Sequence, residues 1–171
     1  MRCMPEFDLV VPIARDPAGV ARWWLDFPAD YRATDPREQP FRIETLSRTP
    51  GRIDVRTTWR MMGRTRVFDE TIWVRGPLAF DAQITMGRVV VEDTFRLAED
   101  GRGGSLMRIH TTMRSRGPMG KVAANMMAPL MHRWMRKVWA DAAALCAEEG
   151  RRQTANTALT PQRPFGAAPE A

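Results

Sequence analysis

Two acidic residues lie on predicted strands in which the alternating neighbours are apolar. Glu70 is flanked at a spacing of two residues by Phe68 and Ile72, and Asp93 is flanked in the same way by Val91 and Phe95. Alternate residues of a strand share one face of a sheet, so both carboxylates are predicted to face the interior. Burial disfavours the charged form of a carboxylate and raises its pKa, which suits a general base.

Arg66 and Thr57 fall on the same predicted interior face as Glu70. We therefore take Glu70, Asp93 and Arg66 as candidate catalytic residues, with Arg66 or Thr57 holding an enolate oxygen. Two alternatives remain. Arg66 can simply neutralise the carboxylates, or a bulge of one residue can turn both of them to solvent.

The register of two hairpins follows from their predicted turns. A turn at Gly63-Arg64, flanked by Met62 and Thr65, predicts that Thr57 lies opposite Glu70 and that Trp59 lies opposite Phe68. A second turn at Gly87-Arg88 pairs Met86 with Val89.

Methionine and aromatic residues dominate the predicted interior. Methionine is flexible and polarisable, and it suits surfaces that adapt to varied apolar ligands, although it also fills ordinary cores. With large rings beside it, the pattern favours an apolar ligand cavity. The predicted ligand-binding residues are Thr57, Trp59, Met61, Phe68, Phe80, Met86, Phe95, Met107, Met113, Met127, Met131 and Trp134.

Metal and cofactor chemistry finds no support in the sequence. The two histidines, His110 and His132, and the two cysteines, Cys3 and Cys146, have no metal-ligand spacing. The glycines of the stretch Gly101–Gly104 lie in a turn between strands, with no helix after them to form a phosphate loop. We expect no metal and no cofactor.

Composition and charge limit the classes of partner that the protein is expected to bind. The chain has a formal net charge of +6, but the basic excess is almost entirely scattered arginine. No basic block is present, so we expect no dedicated nucleic-acid binding. Transient contact with an anionic membrane surface or an acidic partner fits the charge better. The N-terminus lacks the pattern of a signal peptide, which predicts a cytoplasmic protein. The oligomeric state stays open.

Apolar periodicity predicts the order of the elements. A first strand at Phe7–Ile13 leads through Asp16-Pro17 into a short helix, and Phe27–Pro40 reads as irregular or briefly helical. Six strands joined by turns then form a meander with one apolar face. Their predicted bounds are Phe41–Arg48, Arg52–Met61, Thr65–Val74, Leu78–Met86, Val89–Leu97 and Ser105–Arg114.

A long amphipathic helix is predicted from Pro118 to Glu149, with Gly150 as its C-terminal cap. Residues 151–171 lack apolar periodicity and are predicted to be a disordered tail after a single domain of residues 1–150. The face of the helix that would cover the sheet is predicted to carry Ala123, Met127, Leu130, Met131, Trp134, Val138, Ala142 and Leu145.

This order of elements resembles the START-type superfamily, also called SRPBCC, over about Met4–Glu149. The resemblance is carried by Pro12–Leu25, by Thr94–Leu97 with the turn Gly101–Gly104 after it, and by Gly117 onwards. The superfamily includes polyketide cyclases, coenzyme-Q-binding proteins and pollen-allergen-like carriers. It implies an α+β helix-grip fold, in which a curved seven-stranded antiparallel sheet wraps around the C-terminal helix and leaves a hydrophobic cavity. It supplies no invariant catalytic set.

The function that these features favour is binding or carriage of a small hydrophobic molecule, such as a lipid, an isoprenoid or a polyketide-like compound. The alternative is an enzyme of the polyketide cyclase or dehydratase type, with Glu70 or Asp93 as general base. A regulatory module that uses the basic surface and the tail is a third interpretation.

Overall fold

A computed structural model describes residues 5–25, 41–61, 64–115 and 117–159; within these ranges the side chains of residues 41–43, 59–61 and 156–159 are not described. In chain order the elements are β1 (Glu6–Ile13), α1 (Pro17–Leu25), β2 (Phe41–Thr49), β3 (Arg52–Met61), β4 (Arg64–Gly76), β5 (Ala79–Met86), β6 (Val89–Glu99), β7 (Ser105–Ser115) and α2 (Gly117–Leu159). The irregular segment predicted at Phe27–Pro40 lies outside these ranges.

The strands form one antiparallel sheet in the order β1-β7-β6-β5-β4-β3-β2. From β2 to β7 each strand pairs with the next one along the chain, as the period-two pattern and its turns predict. β1 joins beyond β7, and α1 and α2 pack over that side of the sheet. The predicted α+β helix-grip architecture, with seven antiparallel strands and a long C-terminal helix, is confirmed.

Alternation along the strands gives the sheet one buried face. In β6 every second residue from Val89 to Leu97 is buried, and Asp93 is among them. α1 begins as predicted, because the Asp16 carboxylate accepts a hydrogen bond of 2.7 Å from the backbone N–H of Gly19. No helix in the described ranges has both the length and the apolarity that a membrane crossing requires.

The predicted register of the β3–β4 hairpin is wrong by two residues. Met61 pairs with Arg64, and residues 62 and 63 between them lie outside the described ranges. Thr57 is consequently opposite Phe68, and Glu70 is opposite Val55. Because side chains repeat with a period of two, an even shift leaves every residue on its predicted face. The predicted pairing of Met86 with Val89 is correct.

Aromatic rings join the two layers at the centre of the core. Trp24 of α1 lies 4.4 Å from Trp139 of α2 between ring centroids, and Phe80 lies 4.7 Å from Phe95 on neighbouring strands. Phe95 also contacts Trp139 at 5.3 Å. α1, α2 and the sheet are therefore held together by one cluster of rings, each side chain of which is at most 9% exposed.

The predicted buried face of α2 is partly wrong. Leu130 is 56% exposed and Ala123 is also exposed, whereas Met135 and Trp139 are buried. The buried face is therefore turned towards Met135 and Trp139, and Trp139 contacts Trp24 of α1. Met131, Val138 and Ala142 are buried as predicted.

The predicted end of the helix at Gly150 is also wrong, because α2 continues to Leu159. Gly150 is not among the glycines with positive φ, and a Cβ there would lie 3.1 Å from Cδ of Arg15. Arg15 crosses the helix at this point and donates a hydrogen bond of 2.8 Å to Oε1 of Gln153. Residues 151–159 of the predicted disordered tail are thus helical, while residues 160–171 lie outside the described ranges.

Candidate functional site

Two carboxylates lie on the inner face of the sheet, and each accepts a hydrogen bond from a threonine on a neighbouring strand. Oε2 of Glu70 on β4 accepts a hydrogen bond of 2.9 Å from the hydroxyl of Thr57 on β3. Oδ1 of Asp93 on β6 accepts one of 2.5 Å from the hydroxyl of Thr111 on β7. Asp93, Thr57 and Thr111 are at most 5% exposed, and Glu70 is partly buried.

Burial raises the pKa of both carboxyls. The pKa of Glu70 rises to about 7, because burial outweighs the hydrogen bond from Thr57 and the nearby charge of Asp93 adds to the shift. The pKa of Asp93 rises to about 6, again mainly through burial, against the hydrogen bond from Thr111 and the influence of His110. Glu70 can therefore both accept and release a proton near neutral pH.

Both carboxyls border one small inner cavity between the sheet and α2. Its volume is about 30 Å³, enough for a water molecule but not for an organic ligand. Apart from the carboxyls and Thr57, its walls are apolar. They consist of Trp24, Ile84, Phe95, Trp134, Met135, Val138 and Trp139.

A larger space, which we call the mouth cavity, opens between the first residues of β4, the β5–β6 turn and α2. It has a volume of about 780 Å³, within the range of small-molecule sites. Arg64 and Arg66 provide its cationic groups. The remaining lining residues are Val67, Phe68, Thr85, Met86, Gly87 and Met127.

The mouth cavity and the inner cavity follow one another along the same elements. On β4, Phe68 borders the mouth and Glu70 the inner cavity; on β5, Met86 and Ile84 take the same two positions. On α2, Met127 borders the mouth, and Trp134 lies two turns further along at the inner cavity. A row of mainly apolar side chains, which we call the apolar axis, therefore leads from the mouth cavity to the two carboxyls.

The structure brings together some of the predicted site residues and separates others. Glu70, Asp93, Thr57, Phe95 and Trp134 meet at the inner cavity. Phe68, Met86 and Met127 line the mouth cavity together with Arg66. Phe80, Met107, Met113 and Met131 are at most 2% exposed and fill the core. The side chains of Trp59 and Met61 lie outside the described part.

Arg66 does not join the carboxyls. Its side chain is exposed at the mouth, four residues from Glu70 along β4, a separation of about 13 Å for an extended strand. Glu70 receives its hydrogen bond from Thr57, and the charge that shifts its pKa further is that of Asp93. Of the alternatives left open by the sequence, the one in which Arg66 neutralises Glu70 is not the arrangement in the structure.

Sequence reasoning missed several residues of the inner cavity. Trp24 comes from α1, and no local pattern shows that this helix lies across the sheet. Met135 and Trp139 share the buried face of α2 with Met131, Val138 and Ala142. That spacing of three and four residues was the available signal for placing them.

The described part of the chain contains no cluster of side chains suited to a metal ion. Among the described residues, no three His, Cys, Asp or Glu side chains are grouped so that they could hold a metal ion. Cys146 is buried with a raised pKa, mainly through desolvation, which keeps it a neutral thiol.

Comparison with known proteins supports the fold. No protein-family model matches the chain, and no curated protein sequence is significantly similar to it. The structure is similar to that of Zhui aromatase/cyclase from Streptomyces sp. R1128, with a TM-score of 0.66 and 15% sequence identity over 89% of this chain and 96% of that one.

Two further solved structures show the same likeness. Ara h 8.0201 has a TM-score of 0.61 and 14% identity, over 84% of this chain and 97% of that one. A START superfamily protein from Mycobacterium smegmatis has a TM-score of 0.57 and 15% identity, over 82% of this chain and 97% of that one. The resemblance to the START-type fold that the sequence predicts is confirmed at the level of architecture.

Proposed function

We propose that the protein binds a small hydrophobic molecule between its sheet and α2. The observation that carries this proposal is the apolar axis from the mouth cavity to Glu70 and Asp93. The mouth cavity has the volume of a ligand site and walls formed largely by Phe68, Met86 and Met127. A lipid, an isoprenoid or a polyketide-like compound has the apolar body that such walls accept.

The two volumes define how the ligand would lie. The inner cavity, at about 30 Å³, admits only a water molecule or a single small group. The body of the ligand would occupy the mouth cavity, and a hydroxyl or keto group at its leading end would approach the carboxyl of Glu70. The protonated carboxyl can donate a hydrogen bond to a keto or hydroxyl oxygen, whereas the carboxylate can only accept one from a hydroxyl.

A dye-binding experiment tests the proposal. Solvatochromic dyes and fatty acids should bind the folded protein and quench its tryptophan fluorescence. Met127→Trp adds bulk at the mouth and should lower the affinity at least tenfold. Met119→Trp is the matched control, since Met119 is 70% exposed on the outer side of the same helix and should leave the affinity unchanged. If the folded protein binds no member of a broad apolar panel, the proposal fails.

A second function is favoured by the pKa of one residue. Glu70, with a pKa of about 7, borders an apolar cavity and is suited to remove a proton from a carbon next to a ligand carbonyl. The protein would then be a cyclase or dehydratase of polyketide-like substrates. The described neighbour Zhui is an aromatase/cyclase. Thr57 would act by holding the Glu70 carboxylate, because its hydroxyl already donates to Oε2.

The other predictions from the sequence stay predictions. They are the cytoplasmic location, the domain boundary at residue 150 and the expectation that no cofactor is needed. An acidic protein partner is likewise a prediction.

A further inference from the structure

A line of apolar side chains lies on the outer face of α2, away from the core. Met119, Val122, Met126 and Leu130 are 70%, 55%, 70% and 56% exposed. Their spacing of three and four residues places them on one side of the helix, over about 16 Å of its axis. The opposite side carries the buried Ala124, Met131 and Met135. We call these four exposed residues the methionine surface.

The charged side chains on this part of α2 are all cationic. No Asp or Glu occurs between Asp100 and Asp141 in the sequence. Arg133, three residues after Leu130, continues the same line and is exposed. Lys121 is exposed in the first turns of α2, and the carbonyl oxygen of Arg88 is 3.6 Å from the position of a Cβ on Gly120. The β5–β6 turn with its arginine therefore lies beside the start of this surface.

The methionine surface adjoins the mouth cavity. Met127 follows Met126 directly and lines that cavity. The rim of the cavity adds Arg64 and Arg66, and Val67, which directly follows Arg66 on β4, is 57% exposed. The carboxylate of Asp69, two residues beyond Val67, is paired with Arg56 at 2.9 Å. Apolar side chains and arginines thus share one end of the molecule.

We propose that the methionine surface docks on the surface of an anionic lipid bilayer, with the mouth cavity facing the lipid. Exposed Met, Val and Leu side chains on a helix enter the boundary between headgroups and acyl chains, and flanking cations contact anionic headgroups. A ligand with an apolar body would then pass between bilayer and cavity without crossing water. The docking itself is independent of any ligand.

The charge pattern decides between a bilayer and a second copy of the chain. A two-fold dimer through the methionine surface would bring Arg133 of each copy to the α2 helix of the other, and nothing acidic on α2 before Asp141 would offset its charge. An anionic bilayer supplies the missing negative charge.

Vesicle flotation tests the proposal with the full chain. The protein should float with vesicles that contain about 30% phosphatidylglycerol in phosphatidylcholine, and not with phosphatidylcholine alone, at about 0.15 M salt. Met126→Glu and Val122→Glu should each weaken this binding at least tenfold. Val10→Glu is the matched control: Val10 is 56% exposed, like Val122, but lies on β1 at the sheet edge, and its variant should bind as the parent does. Arg133→Gln should weaken binding about fivefold.

Three results would overturn the proposal. They are no flotation of the parent protein with anionic vesicles, equal losses in Val10→Glu and Val122→Glu, or a dimer in sedimentation velocity that Met126→Glu dissociates. Circular dichroism and melting temperature of each variant identify loss of folding, and Arg133→Gln provides a variant that leaves all four apolar side chains in place. Since the vesicles carry no added ligand, failure of dye binding with intact flotation would reject only the proposed function.

Discussion

Glu70 accepts a hydrogen bond of 2.9 Å from the hydroxyl of Thr57, although the two residues are not opposite one another in the sheet. Thr57 is paired with Phe68, and Glu70 with Val55, so the hydrogen bond runs diagonally across two strands. This bond lowers the pKa of Glu70, whereas burial and the charge of Asp93 raise it, and the net value is about 7. The hydrogen bond therefore holds the carboxyl in place and favours its charged form, but it does not offset the effect of burial.

The first prediction concerns the dependence of stability on pH. A carboxyl whose pKa is higher in the folded state stabilises the fold below its unfolded pKa, and this contribution is lost as pH rises through the folded pKa. For Glu70 the loss falls between about pH 4.5 and pH 7 and amounts to about 3 kcal/mol. Glu70→Gln should match the parent near pH 4.5 and exceed its free energy of unfolding above pH 7, as measured by urea denaturation.

Asp69→Asn is the control for this measurement. Asp69 precedes Glu70 but is exposed, and its bond with Arg56 lowers its pKa. Its contribution has the opposite sign, so the variant should lose stability relative to the parent as pH rises. If Glu70→Gln shows no gain above pH 7, the carboxyl is not desolvated in the folded protein.

The second prediction concerns Gly150. A protein loses stability when a glycine that caps a helix in the left-handed conformation is changed to alanine. Gly150, however, lies inside α2 and makes room for the side chain of Arg15. In an Arg15→Ala background, Gly150→Ala should therefore raise the free energy of unfolding by about 1 kcal/mol through helix propensity. Thermal denaturation of the single and double variants measures this. A lower free energy of unfolding in the double variant than in Arg15→Ala would instead support the predicted helix end at Gly150.

Gly150 also shows where local sequence patterns stop being informative. A glycine after an apolar run favours a helix end, but its space is used by Arg15, which is distant in the chain. The strands were predictable to within one or two residues because their alternation is a local property. The faces survived the error at the β3–β4 turn, since the shift was even. The candidate carboxyls were found for that reason.

The walls of the site were less predictable than its carboxyls. Trp24 reaches the inner cavity from α1, and its contact with Trp139 depends on how two helices cross. The inward direction of Phe80 and Met107 was predicted, but whether such residues border a cavity or fill the core depends on packing across several elements. Arg66 was placed on the interior face, yet its position near the strand end leaves it at the mouth.

The third prediction compares two tryptophans of α2. Trp139 is 7% exposed and contacts both Trp24 and Phe95, so Trp139→Ala should cost about 3–5 kcal/mol of unfolding free energy. Trp134 is only partly buried at the inner cavity, so Trp134→Ala should cost less and should raise dye affinity by enlarging that cavity. Urea denaturation and dye titration of both variants check this. Equal costs would mean that Trp134 is packed as tightly as the core.

The last prediction separates a binding protein from an enzyme. For a protein that only binds its ligand, Glu70→Gln changes one hydrogen bond, and the affinity should change by about 1 kcal/mol without any product appearing. For a cyclase or dehydratase, the same change should leave affinity nearly intact and lower turnover by about 10²–10⁴-fold, the usual effect of removing a general base.

The pH profile gives the enzyme hypothesis a second readout. Because a general base must be deprotonated, turnover should rise with pH and level off above about 7, the pKa of Glu70. Thr57→Val removes the hydrogen bond that lowers this pKa, so the rise should move to higher pH; Thr85→Val, at the mouth, should leave the profile unchanged. The measurement is the turnover of polyketide-like test substrates as a function of pH, with the products detected by mass spectrometry. Should product form at the same rate in Glu70→Gln as in the parent protein, Glu70 is not the base, and its carboxyl serves binding alone.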